Sequence, residues 1–235
     1  MGAGRSADGG LFSGPARCCP ATTEFPASAD IASLSVILGS GVVDNMSGWR
    51  RSVWRLLDKK RLAMARLRSF YFKALGTHVG AKCLFGQGVR IDRPWKVSMG
   101  SRCVLEPDVW FDIVDDQAEV RLGDHVFMGR GVHLMLSDGL TVGNNSLIGD
   151  GVIISDHKHN VQAGQLIETQ GCNSAKISIG SDVLICVRAM ILQGVTIGDG
   201  AIVGPGAIVT QNVAPNSIIG SPPGRALGTR TVAAN

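Results

Sequence analysis

The sequence is poor in aromatic residues: one Tyr, four Trp and seven Phe among 235 residues. It also lacks a long apolar run. IASLSVILGSGVV (Ile31–Val43) is broken by Ser and Gly and falls short of the ~20 residues that a bilayer-spanning helix needs. There is no CxxC, and the six cysteines are scattered apart from the adjacent Cys18 and Cys19, so neither a disulfide framework nor a paired-cysteine zinc site is encoded. No basic region followed by an apolar one opens the chain, so no secretory leader is expected. These shortages exclude a membrane span and a small secreted scaffold, and they make a reducing, cytoplasmic setting the expectation.

Glycine, by contrast, is abundant at 31 residues, which suits short, regularly turned strands better than a helical bundle. The net charge of +4 is unevenly spread. Residues 48–74 hold nine Lys or Arg against one acid, Asp58, so the rest of the chain is net acidic. A role for an anionic surface belongs to that segment.

From Val79 onward an aliphatic residue followed by glycine recurs every six positions. The hexads are VGAKCL FGQGVR IDRPWK from Val79, MGSRCV LEPDVW FDIVDD from Met99, and LGDHVF MGRGVH LMLSDG from Leu122. VGNNSL IGDGVI ISDHKH follows from Val142, and six more run without interruption from Ile179. Eighteen hexads fall in groups of three. A period of six implies short strands joined by tight turns, three hexads closing one triangular coil. Alternation along a strand turns the first and fifth positions inward. Glycine at the second position admits a turn backbone that a Cβ would obstruct. Cys83 and Cys103, both at fifth positions, are expected as stacked core residues rather than a redox pair.

These hexads resemble the hexapeptide-repeat acyltransferases over roughly Val79 to Arg225, most closely from Ile179, and Pro215–Arg225 is similar to the family's usual ending. ISDHKH resembles the histidine motif of the branch that O-acetylates sugars and surface polysaccharides. The resemblance implies an all-β left-handed parallel β-helix of about six coils, working as a homotrimer on acetyl-CoA without a metal and without an acyl-enzyme. The implied divisions are a tail at 1–45, a basic helix at 46–76, the β-helix at 77–214 with an excluded loop at 160–178, and a C-terminal segment at 215–235. Met46 is a candidate true start.

In the hexad register His157 is the fourth residue of the hexad opened by Ile154, at a corner and pointing outward, with His159 two positions on. The coil below places Ser137 and Asp138 beneath His157 and Lys158. An imidazole titrating near neutrality can take a hydroxyl proton and return it to a leaving thiolate. His157 is therefore the candidate base, with Asp156 or Asp138 as its orienting carboxylate. His159, Ser137 and Lys158 are candidate acceptor contacts. As a metal site, H-x-H supplies only two ligands where zinc needs a third. The family's zinc hydratases carry two histidines five apart, whereas His125 and His133 are eight apart. By resemblance the coenzyme A arm lies between subunits along the later coils, against Leu184, Cys186, Arg188, Gly204 and Arg225. Here the family's VWIG is replaced by VLIC, and Arg188 stands where a small residue is usual. Other acceptors, serine or an antibiotic hydroxyl, and a non-enzymatic scaffold are the competing readings.

The segment GWRRSVWRLLDKKRLAMARLRSFYFKALG is expected to form a helix with Ser47 as N-cap and Gly76 as stop. Trp54, Leu57, Arg61, Ala65 and Leu67 form a partial apolar stripe. The helix is expected to cap the open first coil, the other reading being a helix resting on an anionic membrane surface, and one helix could do both.

Overall fold

The computed structural model describes residues 48–220 and 226–229, and side chains over 56–220. The 1–45 tail, Met46, the Ser47 cap and Arg225 lie outside the described residues. Two units divide the chain, 1–55 and 56–235, and the second is the subject below.

That unit is a left-handed parallel β-helix preceded by one α-helix, Gly48–Ala74. Three parallel sheets form its sides. On the first side Val79, Met99, Leu122, Val142, Ile179 and Ile197 stack in register, one per coil. Phe85, Leu105, Met128, Ile148, Ile185, Val203 and Ile219 do so on the second. The third side stacks Ile91, Phe111, Leu134, Ile154, Ile191 and Val209. All but Ile219 are buried, and together they make one core running the length of the solenoid. Six coils are complete. A partial seventh, formed by Val213 beside Ile197 and by Ser217–Ile219, extends the six expected from the hexads.

The corners differ in cause from the expectation. Second-position glycines such as Gly80 and Gly100 do not hold a left-handed backbone. A Cβ on Gly80 would stand 2.4 Å from the carbonyl carbon of Gly100 in the next coil, so close stacking is what demands glycine there. The left-handed residue is instead the fourth of the hexad, filled by glycine or by Lys82, Arg102, Asp108, His125, Asn145, Asp182 and Arg188. Coils are also tied at the fifth position of the first side. The thiols of Cys83 and Cys103 and the hydroxyl of Ser146 donate to the carbonyls of Gly100, Gly123 and Gly180, at 3.1, 3.1 and 2.8 Å. Both cysteines are buried and stacked in the core.

The helix covers the first coil with a face that shares Ala65 with the stripe expected for it but not Leu57 or Leu67. Ala65, Ser69 and Phe72 are buried, whereas Leu57 and Leu67 are exposed. Phe72 stacks on Phe85 with ring centroids 5.0 Å apart, and the Arg68 guanidinium donates to the Phe85 carbonyl at 3.1 Å. The apolar open end of the first coil is thus covered, as stacking repeats require.

Candidate active site

The fourth coil ends differently from the others. Its third-side strand, Ile153–Ser155, pairs with His133–Met135 below, and the Asp156 amide still donates to the Met135 carbonyl. The chain then leaves the coil. His157–His159 pairs antiparallel with Cys172–Ser174, and the helical path resumes at Ile177, which stacks on Leu140. The excursion therefore opens at His157, three residues earlier than the expected loop start at 160. His157 accordingly lacks the left-handed backbone of a fourth-position corner. Nor do His157 and Lys158 stack on Ser137 and Asp138, because parallel pairing stops at Ser155.

Ser137 and Asp138 reach the site by another route. Asp156 is fully buried, and its carboxylate accepts four hydrogen bonds. Oδ1 takes the Ser137 amide at 2.8 Å, and Oδ2 takes those of Asp138 and Gly139 at 2.8 and 2.7 Å. The fourth comes from His157 Nδ1, 3.1 Å from Oδ1. Three backbone donors aimed at one carboxylate offset the cost of burying its charge. A carboxylate has no proton to give, so Nδ1 carries the hydrogen and Nε2 presents a lone pair. Nε2 has no partner among the described residues, and the ring is partly exposed. This is the geometry of an oriented imidazole base.

Asp138 is turned elsewhere. Its carboxylate accepts the Lys176 amide at 3.1 Å and lies 3.9 Å from the Lys176 ammonium. Of the two candidate orienting carboxylates only Asp156 touches His157. His159 and Lys158 are exposed on the hairpin, and His159 Nδ1 lies 3.4 Å from Cys172 Sγ across it. Beyond the hairpin the loop is stitched by Gln170, whose amide group bonds Gln162 and Gln165, while Val161, Leu166 and Ile167 stand exposed. Sequence reasoning missed Gly139. A Cβ there would sit 2.7 Å from the Glu119 carbonyl oxygen, and its φ of +151° is one L side chains rarely adopt. Its place next to Ser137 and Asp138 was the available signal.

The expected cofactor contacts sit at a different corner. Leu184 opens a second-side strand in the fifth coil and Cys186 lies just past its end, Gly204 stacks above Cys186, and Arg188 turns the corner with φ +55°. This corner begins the third side, whereas His157 ends it, so one chain does not bring the two groups together. Burial pushes the Cys186 thiol's pKa up, away from a reactive thiolate. Among the described residues no group of three or more His, Cys, Asp or Glu is placed to hold a metal ion.

A hexapeptide solenoid with an oriented histidine at a break in its coils defines the class. Residues 176–211 match the family model described as bacterial transferase hexapeptide (six repeats), and residues 119–156 that of the hexapeptide repeat of succinyl-transferase. The galactoside O-acetyltransferase of Escherichia coli strain K12 is 29% identical over 130 residues, covering 55% of this chain. The chain spans 62% of that relative's length. The crystal structure of AntD, an N-acyltransferase from Bacillus cereus in complex with dTDP and 3-hydroxybutyryl-CoA, superposes with a TM-score of 0.63 at 18% identity, over 69% of this chain and 88% of that one. A maltose O-acetyltransferase from Clostridium difficile 630 superposes with a TM-score of 0.50 at 24% identity, over 70% and 75% of the two chains. At these identities the two structures speak for the fold. These matches support the hexapeptide-repeat acyltransferase family for this chain, over the repeats at 119–156 and 176–211.

Proposed function

We propose that the protein is an acetyl-CoA-dependent O-acetyltransferase that acetylates a sugar hydroxyl, in a surface polysaccharide or its precursor. The observation that carries this reading is the Asp156–His157 pair: a buried carboxylate, fixed by three backbone amides, holds Nδ1–H and leaves Nε2 as the acceptor of a proton. In the proposed step Nε2 takes the proton of the acceptor hydroxyl as its oxygen attacks the thioester carbonyl. Collapse of the tetrahedral intermediate breaks the C–S bond, and the proton passes from Nε2 to the departing thiolate. No acyl-enzyme is formed.

By resemblance the coenzyme is assigned to the Leu184–Arg188 corner with Gly204, where the backbone would line the arm of coenzyme A and the Arg188 guanidinium could meet its phosphates. Relatives support the assignment: AntD was crystallised with an acyl-CoA, and the similar galactoside and maltose enzymes are O-acetyltransferases by name. The two corners stand at opposite ends of the third side, so the complete site needs the His157 corner of one subunit beside the Cys186 corner of the next. A homotrimer supplies that arrangement, and the exposed Val161, Leu166 and Ile167 of the loop then gain a neighbour to cover. His159 and Lys158 are placed on the hairpin to meet the acceptor.

The test is acetyl transfer from acetyl-CoA to a panel of sugars, followed by coenzyme A release. His157→Ala should lower turnover about 10²–10⁴-fold, as for loss of a general base, with coenzyme A affinity by calorimetry unchanged. Light scattering should report three chains. Near-normal turnover in the variant, or an active monomer, overturns the reading, and activity lost on His159→Ala alone moves the base to that residue.

A further inference from the structure

The helix carries two apolar faces, and the solenoid uses one. Ala65, Ser69 and Phe72 point at the first coil. At 3.6 residues per turn the opposite side of the helix is formed by Leu56, Ala63, Met64, Leu67, Phe70 and Tyr71, with the exposed Lys60 among them. Of these, Leu56, Leu67, Phe70 and Tyr71 are each 59–69% exposed. The row continues past the helix end through Leu75 to Trp95, which is 63% exposed and packs its Cβ and backbone against Gly76. Basic residues line this face at its edge. Lys59, Arg66 and Lys73 recur at seven-residue spacing along one flank, all exposed, and Arg61 on the other flank lies 3.8 Å from Glu106. Asp58, the helix's one acid, is on the half-buried side.

We infer that this outward face docks the protein on an anionic lipid surface. Its apolar row enters the boundary between headgroups and acyl chains, while the Lys59–Arg66–Lys73 row lies over lipid phosphates. A helix with an apolar stripe flanked by cations fits an interface of this kind, because lysine and arginine stems lie along the apolar layer while their charges stay at its edge. The aromatic rings of Tyr71 and Trp95 are apolar with a polar tip, which suits the same depth. Burial against a second copy is disfavoured by the same flank: three cations would be stripped of water with no carboxylate on this face of the helix to pair them. The sequence allowed one helix both to cap and to meet a membrane, and the solenoid covers only one of its faces. Acetyl transfer is not required for this inference.

The experiment is co-sedimentation of the full chain with vesicles of phosphatidylcholine alone, and of phosphatidylcholine mixed with phosphatidylglycerol. Binding is expected only to the mixed vesicles, and it should weaken in ~0.5 M salt, where the Debye length shrinks to a few ångströms. The Leu67→Glu, Phe70→Glu double variant should bind at least ~10-fold less while keeping its melting temperature and mass in solution. Lys59→Glu with Arg66→Glu should remove the preference for the anionic lipid. Three outcomes overturn the inference: no sedimentation with either vesicle, a double variant that pellets like the parent, or a double variant whose mass falls. The last would mean that a second copy covers this face.

Discussion

Replacing Asp156 by Asn separates the two jobs that its carboxylate does. Oδ2 accepts the amides of Asp138 and Gly139, and Oδ1 accepts the amide of Ser137 and His157 Nδ1. Asparagine offers one carbonyl oxygen and one NH2. The least costly placement keeps the oxygen on Asp138 and Gly139 and turns the NH2 toward Ser137 and His157. The Ser137 N–H is then a buried orphan, costing about 1–3 kcal/mol, and the two retained bonds lose their charge assistance, about 1 kcal/mol each. A total loss of roughly 3–5 kcal/mol follows, a large share of the ~5–15 kcal/mol by which a domain is stable. The histidine suffers separately. To meet an NH2 group, Nδ1 must become the acceptor, which moves the ring proton to Nε2 and blocks the base. Turnover should fall about 10²–10⁴-fold at a temperature where the variant is still folded. Urea unfolding reads the first effect and coenzyme A release the second. Because the pair acts as one unit, adding His157→Ala to Asp156→Asn should lower turnover no further than the worse single change. Parental turnover in Asp156→Asn, or a stability loss below ~1 kcal/mol, refutes the reasoning.

Two further outcomes concern the body of the solenoid. Burial raises the pKa of Glu106, against the pull of Arg61 and Arg130, so the folded state binds its proton more tightly than the unfolded one. Stability from this group is gained as pH falls through the raised value and lost as pH rises past it. Glu106→Gln should therefore raise the melting temperature at pH 8 more than at pH 4, and a variant less stable than the parent at pH 8 contradicts this. Ser146→Ala strands the Gly180 carbonyl and the buried Val183 amide, which the hydroxyl serves at 2.8 and 3.2 Å, and should cost about 1–3 kcal/mol in urea unfolding. An unchanged midpoint would mean that the coils close over the loss.

The fold was readable because within each coil the same burial recurs at hexad spacing: the residues that open the hexads, from Val79 to Ile197, are the ones that stack. Less was readable at the corners. The left-handed fourth position accepts Lys82, Arg102 and His125 as well as glycine, so composition does not mark it, while the conspicuous second-position glycines answer to the coil above rather than to their own backbone. The seventh turn was hidden by a shortened corner: Ile219 stacks on Val203 after sixteen residues instead of eighteen, which takes it out of the hexad count. The helix was misjudged for a different reason. Two apolar faces on opposite sides blur the single stripe that a capping helix should show, and Leu57 and Leu67 belong to the face that is not buried.

The candidate site shows the same limit in sharper form. ISDHKH drew attention because it ends a regular hexad and precedes residues that fit none, and that much a period can reveal. The period also led to an error, since it placed His157 at an ordinary corner above Ser137. What the chain does instead depends on Asp156. Hexad numbering makes it the third residue of the hexad opened by Ile154, a position filled elsewhere by Asp124, Asp150 and Asp199. Those three accept single amides of the neighbouring coil on exposed corners. Asp156 does the same for Ser137, but its coil turns away directly afterwards, and the carboxylate is left with room to take the amides of Asp138 and Gly139 and the ring of His157. One residue thus ends the coil and aims the histidine. A ladder carboxylate becomes an orienting one only because the next coil starts eighteen or so residues late, a fact about the path of the chain rather than about any residue in the motif.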